Sequence, residues 1–325
     1  MLIVQRNKSG WRHGIFRELP SLLPQDALIV VNNTRVQPRK VRGVLASGVE
    51  VEALLVGQVA EGRWAAQIKK ARRVKPGMRV AFAQGAIEAE ALHRDEEGQW
   101  ILQFSEPEKL EERLEAHGMA PLPPYIRRNG QEQEEVHRDR VDYQTCYASI
   151  GGALAAPTAG LHFTPAVMDD LKKRGLSPHE VTLHVGRGTF TPIQVEDPEQ
   201  HVMHEEWYEV GETTAQAIAQ AKAQGRPVIA IGTTTVRALE SWATQHGDQP
   251  GSGWSRLFIR PPYDFRVVDG LITNFHQPRS TLLMMVSAFH GRERMLAAYQ
   301  EAVAQGYRFF SFGDCMAILP EPNAS

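Results

Sequence analysis

The chain predicts an α/β fold interrupted by an inserted β-domain, and three features carry that expectation. From Val141 onward, short apolar strands alternate with helical periodicity, the pattern of βαβ units and a mostly parallel sheet or barrel. Between Val41 and Phe104 the runs VEVEALLV, RWAAQI, MRVAFA, AIEAEAL and QWILQF are short and are punctuated by Gly48, Gly57, Gly62, Gly77, Gly85 and Gly98. That texture reads as a small β-barrel or sandwich. The run ALIVVNN (Ala27 to Asn33) precedes the β-rich stretch yet has the composition of the later parallel strands. The β-domain is therefore read as an insertion, with residues 1–37 and 118–325 forming a discontinuous α/β domain around residues 38–117.

Element by element, PEKLEERLEAH (Pro107 to His117) has the pattern of a helix stopped by Gly118, since glycine accepts the left-handed geometry at a helix end. MAPLPPYIRR follows and is too proline-rich for regular structure. Strands are predicted at Val181 to Val185, Pro227 to Ile231, Ser255 to Ile259, Gly270 to Asn274 and Tyr307 to Phe312. Helices are predicted at Pro165 to Lys173, Glu212 to Gln224, Thr234 to Gln245, Ser280 to Phe289 and Arg292 to Gln305.

Composition narrows the class. The 325 residues are 42% hydrophobic and 23% charged, which excludes collagen-like, disulfide-rich and wholly disordered chains. The longest apolar run, TLLMMVSAF from Thr281 to Phe289, is about half of the roughly 20 residues that a membrane helix needs. MLIVQRNKSG lacks a basic segment ahead of its apolar residues, so it does not read as a signal peptide. Two distant cysteines, Cys146 and Cys315, form no CxxC pair; structural thiols in a reducing cytoplasm are expected. The formal net charge of -2 hides an asymmetry. Arg35 to Arg79 carries eleven basic and three acidic residues, a net of +8, while Ala81 to Ala120 carries -7. The basic stretch, with KKARRVKPGMR at its centre, suits either a solvated hairpin rim or a polyanion contact.

Polar residues gather just after the predicted strands, where ligands bind in α/β folds. LHVGRGTF places His184, Gly186, Arg187, Gly188 and Thr189 after one strand, IGTTTVRALES places Thr233, Thr234 and Thr235 after another, and ITNFHQPRST places Asn274, His276 and Arg279 after a third. Threonines at a helix start cap free amides or, with Arg237 one turn on, hold a carboxylate or phosphate. The glycines of GRG allow close backbone approach to a ligand or simply form a turn. His201 and His204 have the spacing of a helical metal pair, but no third ligand has a convincing local spacing, so no metal is expected. Histidines suit acid–base work near neutral pH. No GxSxG elbow, Walker loop or GxGxxG follows a strand, which removes support for serine nucleophiles, nucleoside triphosphates and dinucleotides.

Nine blocks in register resemble the S-adenosylmethionine:tRNA ribosyltransferase-isomerase family of queuosine synthesis. They are VVNNTRV (Val30 to Val36), PLPPYI (Pro121 to Ile126), YQTCYA (Tyr143 to Ala148), LAAPTAGLHFT (Leu154 to Thr164), VTLHVGRGTFTPI (Val181 to Ile193), HVMHEEWYEV (His201 to Val210), GTTTVRALES (Gly232 to Ser241), VVDGLITNFHQPRSTLLMMVSAFHG (Val267 to Gly291) and YRFFSFGDCMAI (Tyr307 to Ile318). The resemblance implies a barrel-like α/β catalytic domain with an inserted β-barrel. It implies transfer and isomerisation of the ribosyl part of S-adenosylmethionine onto 7-aminomethyl-7-deazaguanine at the tRNA wobble position. Epoxyqueuosine, adenine and methionine are the implied products.

Under that resemblance, His162, His184, His204 and Asp269 are the catalytic candidates. Gly186, Gly188, Thr189, Thr233, Thr234, Thr235, Arg237, Asn274 and His276 are the candidates for binding the co-substrate, and Asp314 is a further polar one. Arg35, Lys69, Lys70, Arg72 and Arg73 are the tRNA phosphate candidates, and Tyr143 and Phe163 are candidate stacking partners for a flipped base. A monomer with no permanently bound cofactor is expected. Family members carry a further block ahead of the strand that here is Leu2-Ile3-Val4, so a catalytically silent tRNA-binding relative is the rival reading. A metal-dependent hydrolase built on His201 and His204 is the other.

Overall fold

The computed structural model describes residues 1–6, 8–69, 71–126, 128, 133–186, 197 and 200–321. It divides into two compact units, one of Met1–Arg35 with Gln144–Ser325 and one of Val36–Tyr143.

The discontinuous unit begins with β1 (Leu2–Gln5), β2 (Arg12–His13), α1 (Leu19–Leu22), β3 (Leu28–Asn32) and β4 (Thr34–Val36), whose last residue enters the insertion. The inserted unit carries β5 (Lys40–Leu45), β6 (Glu50–Ala60), β7 (Arg63–Lys69), β8 (Met78–Phe82), β9 (Ile87–Arg94), β10 (Trp100–Phe104), α2 (Leu110–His117) and α3 (Gln133–Asp142). The chain then continues through β11 (Ile150–Ala153), α4 (Pro165–Lys173), β12 (His179–Leu183), β13 (Glu206–Val210), α5 (Glu212–Ala223), β14 (Val228–Ile231), α6 (Thr233–Gln245), β15 (Gly251–Ser255), β16 (Gly270–Asn274), α7 (Thr281–His290), α8 (Arg292–Ala304) and β17 (Cys315–Leu319).

The inserted strands close into a barrel in the order β10-β7-β6-β5-β8-β9, every pair antiparallel. Alternation builds it: Val51, Ala53 and Leu55 of β6 point inward with Trp64, Phe82, Ile87, Trp100 and Leu102, while the residues between them face out. Gly43 is required on β5, because a Cβ there would lie 2.5 Å from the Phe82 ring. Leu110 and Leu114 of α2 pack into the same core. This unit reaches Tyr143 rather than the expected residue 117, because α3 is held to α2 through Arg140, which donates to the Glu115 carbonyl at 2.6 Å.

In the discontinuous unit, nine of the described strands form one sheet ordered β15-β13-β12-β3-β14-β16-β17-β1-β2. Its centre, β12-β3-β14-β16, is parallel; antiparallel pairs flank it on both sides. Central strands such as LIVVN and VIAI are apolar at every position because both faces are covered. Val30, Val228 and Ala230 face Ile218, Leu239, Trp242 and Phe289 from α5, α6 and α7. Ile29, Val31, Ile229 and Ile231 face Leu19, Val167 and Leu171 from α1 and α4. No helix among the described residues is long and apolar enough to cross a membrane.

Two predicted strands are displaced. The edge strand is Gly251–Ser255 and not Ser255–Ile259, because pairing with Glu206–Val210 sets it while Ile259 is buried without joining a strand. Tyr307 to Phe312 alternates like a strand but is a loop: Phe310 has φ 73, and β17 begins only at Cys315. Tyr307 and Phe309 pack on the core while Phe312 is exposed, so a folded loop reproduces the period of two.

Candidate active site

β12, β3, β14 and β16 run parallel as neighbours, so their carboxyl ends open on one edge of the sheet. The residues that follow those ends converge there. Asn32 is their hub and is fully buried. Its Oδ1 accepts from the Leu183 and Thr34 amides at 3.0 and 3.1 Å, while its Nδ2 donates to the Leu183 carbonyl and to Thr234 Oγ1 at 2.9 and 3.2 Å. One amide thus ties β3, β12 and α6 together.

His184 leaves β12 with its ring held from several sides. Nδ1 lies 2.8 Å from Thr34 Oγ1, and Trp207 stacks on the ring with centroids 5.1 Å apart and planes at 22°. Gly152, with φ +147, comes so close that a Cβ there would stand 2.6 Å from Cε1 and Nε2. Burial holds this imidazole below the usual histidine range, so it is neutral at pH 7.

Gly232, at φ 91, turns the chain from β14 into α6 and provides no side-chain cap. The threonines do not cap it either: Thr235 donates back to the Ile231 carbonyl at 2.6 Å, and Thr234 accepts from Asn32. Among the described residues no acceptor meets the first amides of this thirteen-residue helix, whose dipole favours negative charge there. Arg237, one turn on, is not an open cation. Its Nη1 meets Glu206 Oε2 at 2.5 Å, and the two side chains are 6% and 3% exposed. Glu206 Oε1 also accepts from the Gly186 amide at 2.9 Å. The guanidinium expected to meet a carboxylate of the co-substrate is thus paired with Glu206, and the same carboxylate holds the Gly186 amide.

His162 and Asn274 meet at 3.1 Å, and Asn274 Nδ2 also donates to the Phe310 carbonyl at 3.0 Å. Burial pushes His162 down to about 4; Asp314 opposes the shift, and the N-terminal amine and Arg308 add to it. His276 is likewise pushed by burial to about 4. It turns Nε2 back onto Thr273 Oγ1 at 2.9 Å, which fits a loop brace better than a ligand contact.

Asp269 does not join this edge. It precedes β16 and lies at the sheet's opposite end, paired with Lys222 at 3.0 Å and accepting from the Val228 amide at 2.9 Å. His201 and His204 lie in an irregular segment that leads into β13, so helical spacing does not apply to them. They line a narrow cavity of about 20 Å³ with Glu206, Thr233, Thr234 and Arg237. Tyr143 and Phe163 are 0% and 3% exposed and offer no open ring face for stacking. In the inserted unit Lys69 ends β7, 2.6 Å from Glu52, and Arg72 and Arg73 are exposed on the turn that follows. Arg35 is exposed on β4 of the other unit. Asp314 holds the Arg308 amide at 2.8 Å. Cys146 is exposed, and Cys315 is buried with its thiol pushed up to about 12 by that burial. Lys70, Arg187, Gly188 and Thr189 lie outside the described residues.

Asn32, Thr34, Gly152, Glu206 and Trp207 were not among the expected site residues. For Asn32 and Thr34 the signal was present, since NNT follows the strand ALIVV as the other polar clusters follow theirs.

The family model described as "Queuosine biosynthesis protein" matches residues 1–318. The S-adenosylmethionine:tRNA ribosyltransferase-isomerase of Heliobacterium modesticaldum is 46% identical over 322 residues, which span 98% of this chain and 92% of that protein. The enzyme of the same name from Gloeobacter violaceus is 49% identical over 96% of this chain and 87% of its own length. The crystal structure of S-adenosylmethionine tRNA ribosyltransferase from Thermotoga maritima is 33% identical, covers 98% of this chain and 91% of that one, and has a TM-score of 0.52. The chain belongs to the queuosine biosynthesis family and is a transferase of the ribosyltransferase-isomerase kind.

Proposed function

We propose that this enzyme transfers and isomerises the ribosyl part of S-adenosylmethionine onto the aminomethyl group of 7-aminomethyl-7-deazaguanine at the tRNA wobble position. Epoxyqueuosine-tRNA forms, and adenine and methionine leave. S-adenosylmethionine is a co-substrate, consumed as a ribosyl donor and not as a methyl donor. The observation that carries this reading is the convergence of His184, His162 and the uncapped start of α6 on one edge of the sheet.

The chemistry needs a base for a C5′ proton acidified by the adjacent sulfonium. A neutral imidazole can take that proton, and His184 is the residue whose ring is best held for it. Adenine needs a hydrogen-bonding or acidic partner as it leaves; His162 with Asn274, or His204, supplies imidazole and amide groups for that task. The methionine carboxylate suits the amides of Thr233 and Thr234, which meet no acceptor among the described residues and where the helix dipole favours negative charge. Gly186, Gly188 and Thr189 are the further backbone contacts assigned to the co-substrate. Lys69, Lys70, Arg72, Arg73 and Arg35 are assigned to tRNA phosphates, with a cytoplasmic monomer as the working form.

The deciding experiment incubates the protein with S-adenosylmethionine and tRNA carrying the aminomethyl precursor, then measures adenine by chromatography. Adenine release that requires both substrates is the expected result. A folded, tRNA-binding sample that releases none overturns the proposal.

A further inference from the structure

We propose that Thr34 is a positioning residue that fixes the tautomer of His184, so that Nε2 is the proton acceptor of the site; the role rests on the reaction proposed above. Thr34 Oγ1 lies 2.8 Å from His184 Nδ1 and 3.5 Å from the Ile150 carbonyl oxygen. The hydroxyl has a single hydrogen, and a carbonyl can only accept. Only one placement of the protons makes both contacts hydrogen bonds: Nδ1–H donates to Oγ1, and Oγ1–H donates to the Ile150 carbonyl. The lone pair then sits on Nε2, which has no hydrogen-bond partner among the described residues.

The surroundings keep that assignment from relaxing. Asn32 Oδ1 binds the amides of both Thr34 and Leu183, fixing the backbone on each side of the contact. Trp207 stacks on the ring and the Gly152 backbone lies against it, so a ring flip that exchanged the two nitrogens would meet packed neighbours. In the proposed step Nε2 forms a bond to the C5′ proton. The C–H electron pair stays on the carbon beside the sulfonium, and Nδ1–H remains on Thr34, which stabilises the imidazolium that results.

Nitrogen-15 NMR of the resting protein, with labelled histidine, reads the tautomer directly and without turnover. His184 is expected as the Nδ1–H form near neutral pH, whereas Thr34→Val should shift it toward the Nε2–H form that free imidazoles favour. In the adenine-release assay Thr34→Val should lower kcat roughly 100-fold, with KM for S-adenosylmethionine within about threefold of wild type. Thr34→Ser, which keeps the hydroxyl, should restore both the tautomer and the rate. An Nε2–H tautomer in the wild type overturns the proposal, as does a Thr34→Val enzyme of normal kcat or a serine variant as impaired as the valine one. Absence of adenine from the wild type would refute the reaction itself, while the NMR tautomer still decides for or against the role of Thr34.

Discussion

Replacing Glu206 with leucine removes the carboxylate that meets Arg237 Nη1 at 2.5 Å, and it leaves the guanidinium with a side chain only 6% exposed. Breaking a buried pair from one side costs about 3–5 kcal/mol, because an uncompensated charge remains in a low-dielectric setting. The Gly186 amide loses its 2.9 Å acceptor at the same time, adding about 1 kcal/mol. Arg237→Met removes the other half of the pair and is destabilising too, while Glu206 keeps the Gly186 amide. The double variant Glu206→Leu/Arg237→Met behaves differently, since it removes both charges of the pair together and fills the space with apolar atoms. Its stability should lie within about 1–2 kcal/mol of wild type. At about 2–4 °C per kcal/mol for a unit of this size, the roughly 4–6 kcal/mol lost in Glu206→Leu should lower Tm by roughly 8–24 °C. Near-UV circular dichroism follows the melt, because Trp207 and Trp242 are neighbours of the pair in sequence. A single variant that loses less than about 1 kcal/mol, or a double variant as unstable as the two singles combined, would refute a buried, mutually dependent pair.

Three further outcomes follow. His162 and His276 drop from 6.5 to about 4 on folding, so the unfolded chain binds more protons between those values. Their contribution is complete above the unfolded pKa and is lost as pH falls toward 4, by up to on the order of 3 kcal/mol each. Urea midpoints at about pH 7.5 and pH 5 measure it, and His276→Gln should flatten the difference; an unchanged pH dependence would count against buried neutral rings. Asp269→Asn should keep adenine release at the wild-type rate and cost no more than about 1 kcal/mol, because its partner Lys222 is partly exposed; a collapse in kcat would return Asp269 to the chemistry. Reversing charge at Lys69, Arg72 and Arg73 should weaken tRNA binding and reduce the salt slope by as much as about three, one per lost phosphate contact. An unaltered slope would move the RNA contact elsewhere.

The α/β alternation and the inserted barrel were legible because they rest on local periodicity: every-second-residue burial on β6, and runs such as LIVVN that are buried on both faces. What local pattern could not supply was partnership. β15 is a strand because β13 is beside it, although its sequence GSGWS has little intrinsic strand character. Tyr307 to Phe312 has the strand pattern and no strand, because the turn at Phe310 is set by Asn274 and Phe275 some thirty-five residues earlier. The site divides the same way. Residues that follow a parallel strand are legible as neighbours at one edge, and His184, Thr234 and Asn274 lie there. Asp269 precedes its strand, and a strand's two ends belong to opposite edges of the sheet. Nothing near Arg237 in sequence shows that Glu206, on another element, pairs with it.

The barrel and the nine-stranded sheet differ in how they end. The barrel closes on itself, so among the described residues it has no edge strand. The nine-stranded sheet has two open margins among the described residues. One is β2, only two residues long and bearing Arg12 and His13, a length and charge that discourage a newcomer. The other is β15, five residues with no charge, where Trp254 is 59% exposed. Strand-to-strand aggregation during refolding or at high concentration has its natural starting point at β15.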